Sequence, residues 1–174
     1  MPHYSSRPSS SATAWDRPAS YGASCRSPSA EWPWRLPRAP SQGPFGLASL
    51  AEGLARRGDR VAALAALREG LEIADATGER KWDAELHRLT GTMLLAENKR
   101  DEGQASLQQA IRIAQAQQAK SLELRAARDL ARLWGEQGRR SEARDLLAPV
   151  YGWFTEGFDT ADLKDAKALL EELT

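Results

Sequence analysis

Glu97-Asn98-Lys99-Arg100-Asp101-Glu102 is the stretch on which the reading of this chain turns. It lies between two runs of helical periodicity, at 80–97 and 101–118. Its asparagine suits the left-handed turn that ends a helix. Forty residues later the chain reads Gln137-Gly138-Arg139-Arg140-Ser141-Glu142, and forty residues earlier Arg57-Gly58-Asp59-Arg60-Val61-Ala62. An elbow that returns twice at fixed spacing predicts a stacked array of helix pairs.

Outward from that elbow, the period assigns helices at 46–57 and 60–76, 80–97 and 101–118, and 120–136 and 140–154, with a last helix at 160–173. Stop signals fall at Gly58-Asp59, Thr77-Gly78, Asn98, Gly138 and Gly157. In register on the first helices stand Ala51, Gly91 and Ala131; on the second helices, Ala63, Gly103 and Ala143. All six are small, which lets the two helices of a pair approach closely. Large residues surround that contact: Leu54, Leu94 and Trp134, then Leu67, Leu107 and Leu147, then Leu71, Ile111 and Tyr151. Gly103, Leu107, Ala110 and Ile111 have the spacing of one buried helical face. A single pair cannot bury its faces alone, so the pairs must stack. The predicted fold is all-α, an α-solenoid of three helical hairpins (46–76, 80–118, 120–154) with a capping helix. The cap starts at Asp159 or Thr160, carries Asp162 in its first turn, and presents Leu163, Ala166, Leu169, Leu170 and Leu173 as one apolar face. Tyr151, Trp153, Phe154 and Phe158 stand ready to receive it.

Residues 1–44 differ in kind. They hold eight of the nine prolines and ten serines. Proline at this frequency removes donors and breaks helices, so the stretch reads as a disordered tail before a repeat domain at 45–174. Glu31-Trp32-Pro33-Trp34 could serve there as a polyproline-like docking motif, although a tail without function is the simpler reading. Up to Phe45 five basic residues face two acidic ones, a net +3; the remainder has 19 basic and 22 acidic residues, a net −3. Neither value demands a nucleic acid or a membrane surface as partner. The lone Cys25 excludes a disulfide framework and suits a reducing compartment, read as cytoplasmic. No apolar run approaches the roughly 18 residues of a membrane span. The Arg- and Ser-rich opening has the composition of an organelle transit peptide, but its prolines oppose the amphipathic helix such peptides form.

The pattern of small and large residues resembles the tetratricopeptide repeat, best in Gly91, Leu94, Gly103, Leu107 and Ala110, and again in Ala131, Trp134, Ala143 and Leu147. Its period departs from the usual ~34 residues, which implies longer helices. His87 and Thr90 occupy slots that large apolar residues usually fill, leaving the packing to Leu86, Leu89 and Met93. The closing stretch Leu146-Leu147-Ala148-Pro149-Val150-Tyr151-Gly152-Trp153-Phe154-Thr155-Glu156-Gly157-Phe158-Asp159-Thr160-Ala161-Asp162-Leu163 is similar to the way the carboxy-terminal repeats of large bacterial signalling proteins end. Those join a class III adenylate cyclase or a winged-helix regulator to an ATPase. The resemblance implies a detached regulatory end of such a protein, with a non-catalytic, protein-binding role; a fragment carrying its parent's cyclase or ATPase label and a nucleic-acid-associated regulator are the alternatives.

Nothing in the sequence announces chemistry. There is no phosphate loop of the form GxxxxGK[ST], and His3 and His87 have no partners at metal-ligand spacing. No catalytic residue, cofactor or metal ligand is therefore expected. The suggestive group is basic: Arg125, Arg128 and Arg132 stand at i, i+3 and i+7, and Arg88 and Arg56 could extend their line. An acidic peptide or acidic protein helix could dock there through guanidinium–carboxylate pairs. The competing expectation is a solvated face neutralised by Glu85, Glu123, Asp129 and Glu136. A second expected surface is the uncovered side of the first hairpin, at Leu47, Leu50 and Leu54, which invites self-association.

Overall fold

A computed structural model describes residues 43–174, and the expected disordered tail up to residue 42 lies outside the described residues. Seven α-helices follow one another there: α1 (Pro44–Arg56), α2 (Arg60–Thr77), α3 (Asp83–Ala96), α4 (Arg100–Ala116), α5 (Lys120–Glu136), α6 (Arg140–Gly152) and α7 (Ala161–Glu172). The fold is all-α, three helical hairpins and a final helix. Several boundaries move by one to three residues from their expected places, and two of the shifts have a local cause. Pro44 belongs to α1 and not to the tail, because proline suits the first helical position, where its missing N–H has no partner to lose. The stretch before α3 is a short 3-10 turn, Arg80–Trp82.

The chain reverses every twenty residues, and each reversal contains one residue of positive φ. These are Gly58 (85°), Gly78 (74°), Asn98 (61°), Gln118 (54°) and Gly138 (79°). Within each hairpin the elbow closes with the same hydrogen bond. Asp59 N–H donates to Leu54 O at 3.0 Å, Lys99 N–H to Leu94 O at 3.0 Å, and Arg139 N–H to Trp134 O at 2.8 Å. Such bonds satisfy carbonyls that the end of a helix leaves without donors. The turn at Gln118 uses the same pattern, with Ala119 N–H donating to Ala114 O. Asp59 is the one elbow residue whose side chain also caps a helix, accepting from Ala62 N–H.

The six small residues lie where the hairpin helices meet. Ala51 is 2% exposed and Ala63, Ala131 and Ala143 are fully buried. The middle hairpin is tighter. A Cβ on Gly91 would stand 2.9 Å from the backbone oxygen of Gly103 and 2.8 Å from Leu107 Cγ; a Cβ on Gly103 would stand 2.7 Å from Leu95 Cγ. Gly70 repeats the device between hairpins, where Leu86 fills the space that a side chain there would need. Leu67, Leu86, Leu107, Leu124, Leu130 and Leu147 are the large side chains removed from solvent. Burying each contributes about 1.5–3 kcal/mol.

The first helices pack in succession, α1 with α3, α3 with α5 and α5 with α7, while each second helix also packs on the helix that follows it. α7 thus takes the place of a fourth first helix. Leu163, Ala166, Leu169 and Leu173 are its buried stripe, and Leu170 packs beside it. Of the aromatics expected to receive α7, Tyr151 and Phe154 pack on the core, whereas Trp153 and Phe158 remain 59% and 46% exposed. They meet other rings instead, Trp153 at Phe154 and Phe158 at Tyr151.

Candidate interaction face

The row of first helices carries the charged side chains that sequence reasoning singled out. Arg88, on α3, is 8% exposed. Its Nε and Nη2 donate to the two oxygens of Glu85 at 2.9 and 2.7 Å, and its Nη1 donates to Asp129 of α5 at 2.8 Å. Glu52 of α1 lies 3.7 Å away. Arg128 holds the other oxygen of Asp129 at 3.0 Å and reaches Asp162 and Asp165 of α7 at 3.3 Å each. Arg125 Nε donates to Asp162 at 2.7 Å, and its Nη1 lies 3.5 Å from Glu85. Three arginines and five carboxylates thus tie α1, α3, α5 and α7 together. Burial opposes the charge on Arg88, but the hydrogen bonds and charges of Glu85 and Asp129 outweigh it, and its pKa rises. Arg125 behaves likewise: burial lowers its pKa, Asp162 and then Glu85 raise it further, and the net shift is upward.

This corrects the expected basic groove. Arg88 and Arg128 are closed to an acidic partner, and Arg125, still half-exposed, is already paired, because Glu85, Asp129, Asp162 and Asp165 occupy their donors. The neutralising set also differs from the expected one. Glu123 turns instead to Lys120 and Gln115. The aspartates of α7 do the work on the outer side, and only a folded cap brings them within reach. Among the described residues, Arg56 and Arg132 are exposed and make no ion pair.

Arg132 lies on the rim of two clefts. One, about 310 Å³, is lined by Thr92, Asn98, Arg100, Arg132 and Glu136, among others. The second, about 380 Å³, has Arg132, Arg140, Glu136 and Glu172 around it. Arg100 and Arg140 each open the second helix of a hairpin, forty residues apart, and both are exposed. These two residues were missed in the sequence because they belong to the elbow motif, whose regularity reads as a turn signal.

A third cavity, about 560 Å³, lies where α2, α3 and α4 meet, with Asp75, Arg80, Asp83 and His87 among its lining. Asp83 is 6% exposed and its Oδ1 has no hydrogen-bond partner among the described residues. Burial raises its pKa, against the pull of Arg80 and His87. Burial lowers that of His87, against the pull of Asp83 and Asp75. Among the described residues no three side chains form a metal-binding group.

At the opposite end of the row the open surface is smaller than expected. Leu47 is buried and Leu54 packs against the core, leaving Leu50 (51%), Phe45 (54%) and Val61 (78%) exposed. Phe45 meets Trp82 with the rings tilted at 39° and their centroids 4.6 Å apart. No helix among the described residues is long and apolar enough to cross a membrane.

The class these features define is a helical-repeat protein of stacked hairpins. A scan against protein-family models finds no matching family, and searches of curated proteins and of solved structures find no match either.

Proposed function

We propose that this chain is a non-catalytic protein-interaction module of tetratricopeptide-like hairpins, of the kind that ends bacterial signalling ATPases and cyclases, and that it works in the cytoplasm. The partner surface we assign is the elbow edge bearing Arg100, Arg132 and Arg140, and the ligand an acidic peptide segment. The observation that carries this reading is the contrast among the arginines. Arg88, Arg125 and Arg128 are consumed by internal carboxylates, while Arg132 stands exposed between two clefts, flanked by two more exposed arginines. Guanidinium groups favour carboxylates through paired hydrogen bonds. The test is fluorescence anisotropy with a labelled glutamate-rich peptide. Binding that weakens at least tenfold in Arg132→Ala and is unchanged in Arg56→Ala supports the assignment. Equal binding by wild type and an Arg100→Ala/Arg132→Ala/Arg140→Ala variant refutes it.

The exposed Phe45, Leu50 and Val61 favour a second reading, self-association through the first hairpin. Sedimentation velocity of the wild type beside Leu50→Glu decides it: a concentration-dependent dimer lost in the variant supports that contact, and equal sedimentation of the two removes it.

A further inference from the structure

Asp83 stands where an aspartate should find a donor, and it finds none. It opens α3, whose first turn favours a negative charge. An acidic side chain there ordinarily accepts a free backbone N–H or stands in water. Asp83 is 6% exposed, its Oδ1 has no hydrogen-bond partner among the described residues, and no side chain caps α3. Its Oδ2 lies 3.5 Å from Arg80 Nη1, an ion-pair distance too long for a good hydrogen bond. Arg80 is itself committed, its Nη2 donating to Asp75 at 2.7 Å. One helical turn on from Asp83, His87 is partly buried and makes no hydrogen bond among the described residues.

Both residues line the cavity of about 560 Å³ where α2, α3 and α4 meet, a size that suits a small ligand. Leu71 of α2 and Ile113 and Ala116 of α4 give it apolar walls. Its charged lining is two carboxylates, Asp75 and Asp83, against one guanidinium, Arg80, an excess of one negative charge. Burial lowers the pKa of His87, so at neutral pH its ring is uncharged and offers a nitrogen lone pair. Residues four apart on a helix share a face, with Cβ atoms about 5–6 Å from each other. A turn about χ2 presents either oxygen of Asp83 to the cavity. We propose that this cavity binds a small organic amine, its ammonium group donating to Asp83 and His87 and its apolar body lying on Leu71, Ile113 and Ala116. The ammonium brings the donor that Asp83 lacks and the charge that the lining lacks. A metal ion fits less well, since among the described residues no third His, Cys, Asp or Glu joins Asp83 and His87 in a metal-binding group. The cavity shares no residue with the elbow edge of Arg100, Arg132 and Arg140, so this site and the acidic-peptide reading stand or fall separately.

Titration of the full chain with phenethylamine, followed by proton–nitrogen correlation NMR at neutral pH, tests it. The probe is protonated there, as lysine is, and its ring shifts the signals of nearby nuclei. Phenethyl alcohol, uncharged and of the same shape, controls for apolar contact alone. The expected result is a saturable shift of the Asp83, His87 and Ile113 signals, with binding at least tenfold weaker for the alcohol and at least tenfold weaker for the amine in Asp83→Asn. Arg80→Ala removes the competing guanidinium and should tighten amine binding several-fold; weaker binding there overturns the charge argument. Shifts that never saturate mark a cavity that holds only water, and overturn the proposal. Equal affinity for amine and alcohol, or for wild type and Asp83→Asn, does so too.

A second variant covers an Asp83→Asn chain that does not fold. Ala116 is exposed and lines the cavity, so Ala116→Trp fills that space from a surface position. Loss of phenethylamine binding, with the circular dichroism of the wild type, supports the site; full affinity in this variant overturns it. A lysine peptide with blocked ends that binds more tightly than phenethylamine reassigns the cavity to a side chain of a protein partner, and overturns the small-molecule reading.

Discussion

Gly53 and Gly91 allow the same chemical change to be made in two surroundings, and the fold requires it to have opposite signs. Replacing a helical glycine with alanine removes backbone freedom from the unfolded chain and gains up to about 1 kcal/mol. At Gly53 a new Cβ has nothing within 4 Å, so the gain should survive: Gly53→Ala is expected to stabilise by about 0.5–1 kcal/mol. At Gly91 the new Cβ falls 2.9 Å from Gly103 O, a backbone atom that cannot swing aside, and 2.8 Å from Leu107 Cγ. Relief requires α3 and α4 to separate, and overpacking of this kind costs about 1–3 kcal/mol. After the helix gain is subtracted, Gly91→Ala should destabilise by roughly 1–2 kcal/mol. The two variants then differ by about 2 kcal/mol, which at an m-value near 2 kcal/mol/M separates their urea midpoints by about 1 M. Circular dichroism at 222 nm reads both curves. If Gly91→Ala is as stable as Gly53→Ala, the close helix contact is wrong and with it the basis for stacking.

Three further outcomes follow from the same geometry. Arg88→Ala takes from buried Glu85 and Asp129 the cation they share, leaving them Arg125 at 3.5 Å and Arg128 at 3.0 Å, and should cost up to about 3 kcal/mol in urea unfolding, whereas Arg56→Ala, at an exposed site, should stay within about 0.5 kcal/mol. Gln118→Gly should raise the melting temperature, because a non-glycine residue at φ 54° costs about 1–2 kcal/mol; a lower melting temperature would show that the glutamine side chain earns its place there. His87 has a folded pKa below its unfolded value, so the unfolded chain binds the proton more tightly and stability falls as pH drops through about 6.5. Stability curves of wild type and His87→Leu between pH 7.5 and 5 should therefore diverge, wild type losing more on acidification; parallel curves would place His87 in an unperturbed setting.

The hairpins were legible because their determinants are local. Gly58, Asn98 and Gly138 permit the turn by their own conformational preference, and the six small residues recur on a visible period. Gln118 was not legible as a left-handed residue, since nothing in glutamine favours that region and the surrounding helices impose it. Pro44 followed a rule the tail's composition obscured. Gly70 showed no sign of its role, because what it admits is Leu86, sixteen residues on and in another hairpin. The arginine cluster illustrates the sharper limit. Spacing placed Arg125 and Arg128 on one face, but their partners lie 34 to 37 residues away on α7, and the sequence offers no local mark that joins them. Whether a charged face is open or closed is decided by what folds onto it.

The regular reversals have a consequence for how such a chain can change length. Helix α5 begins at Lys120 and α7 at Ala161, nearly the same phase, so residues 120–159 form a cassette whose two ends match. A second copy spliced in after residue 159 would enter and leave the array in step. Its duplicate of Asp129 would arrive beside the original Arg128 as Asp129 itself arrives beside Arg88, 41 residues on. The fold is thus open to growth by tandem duplication, with α7 carried outward each time.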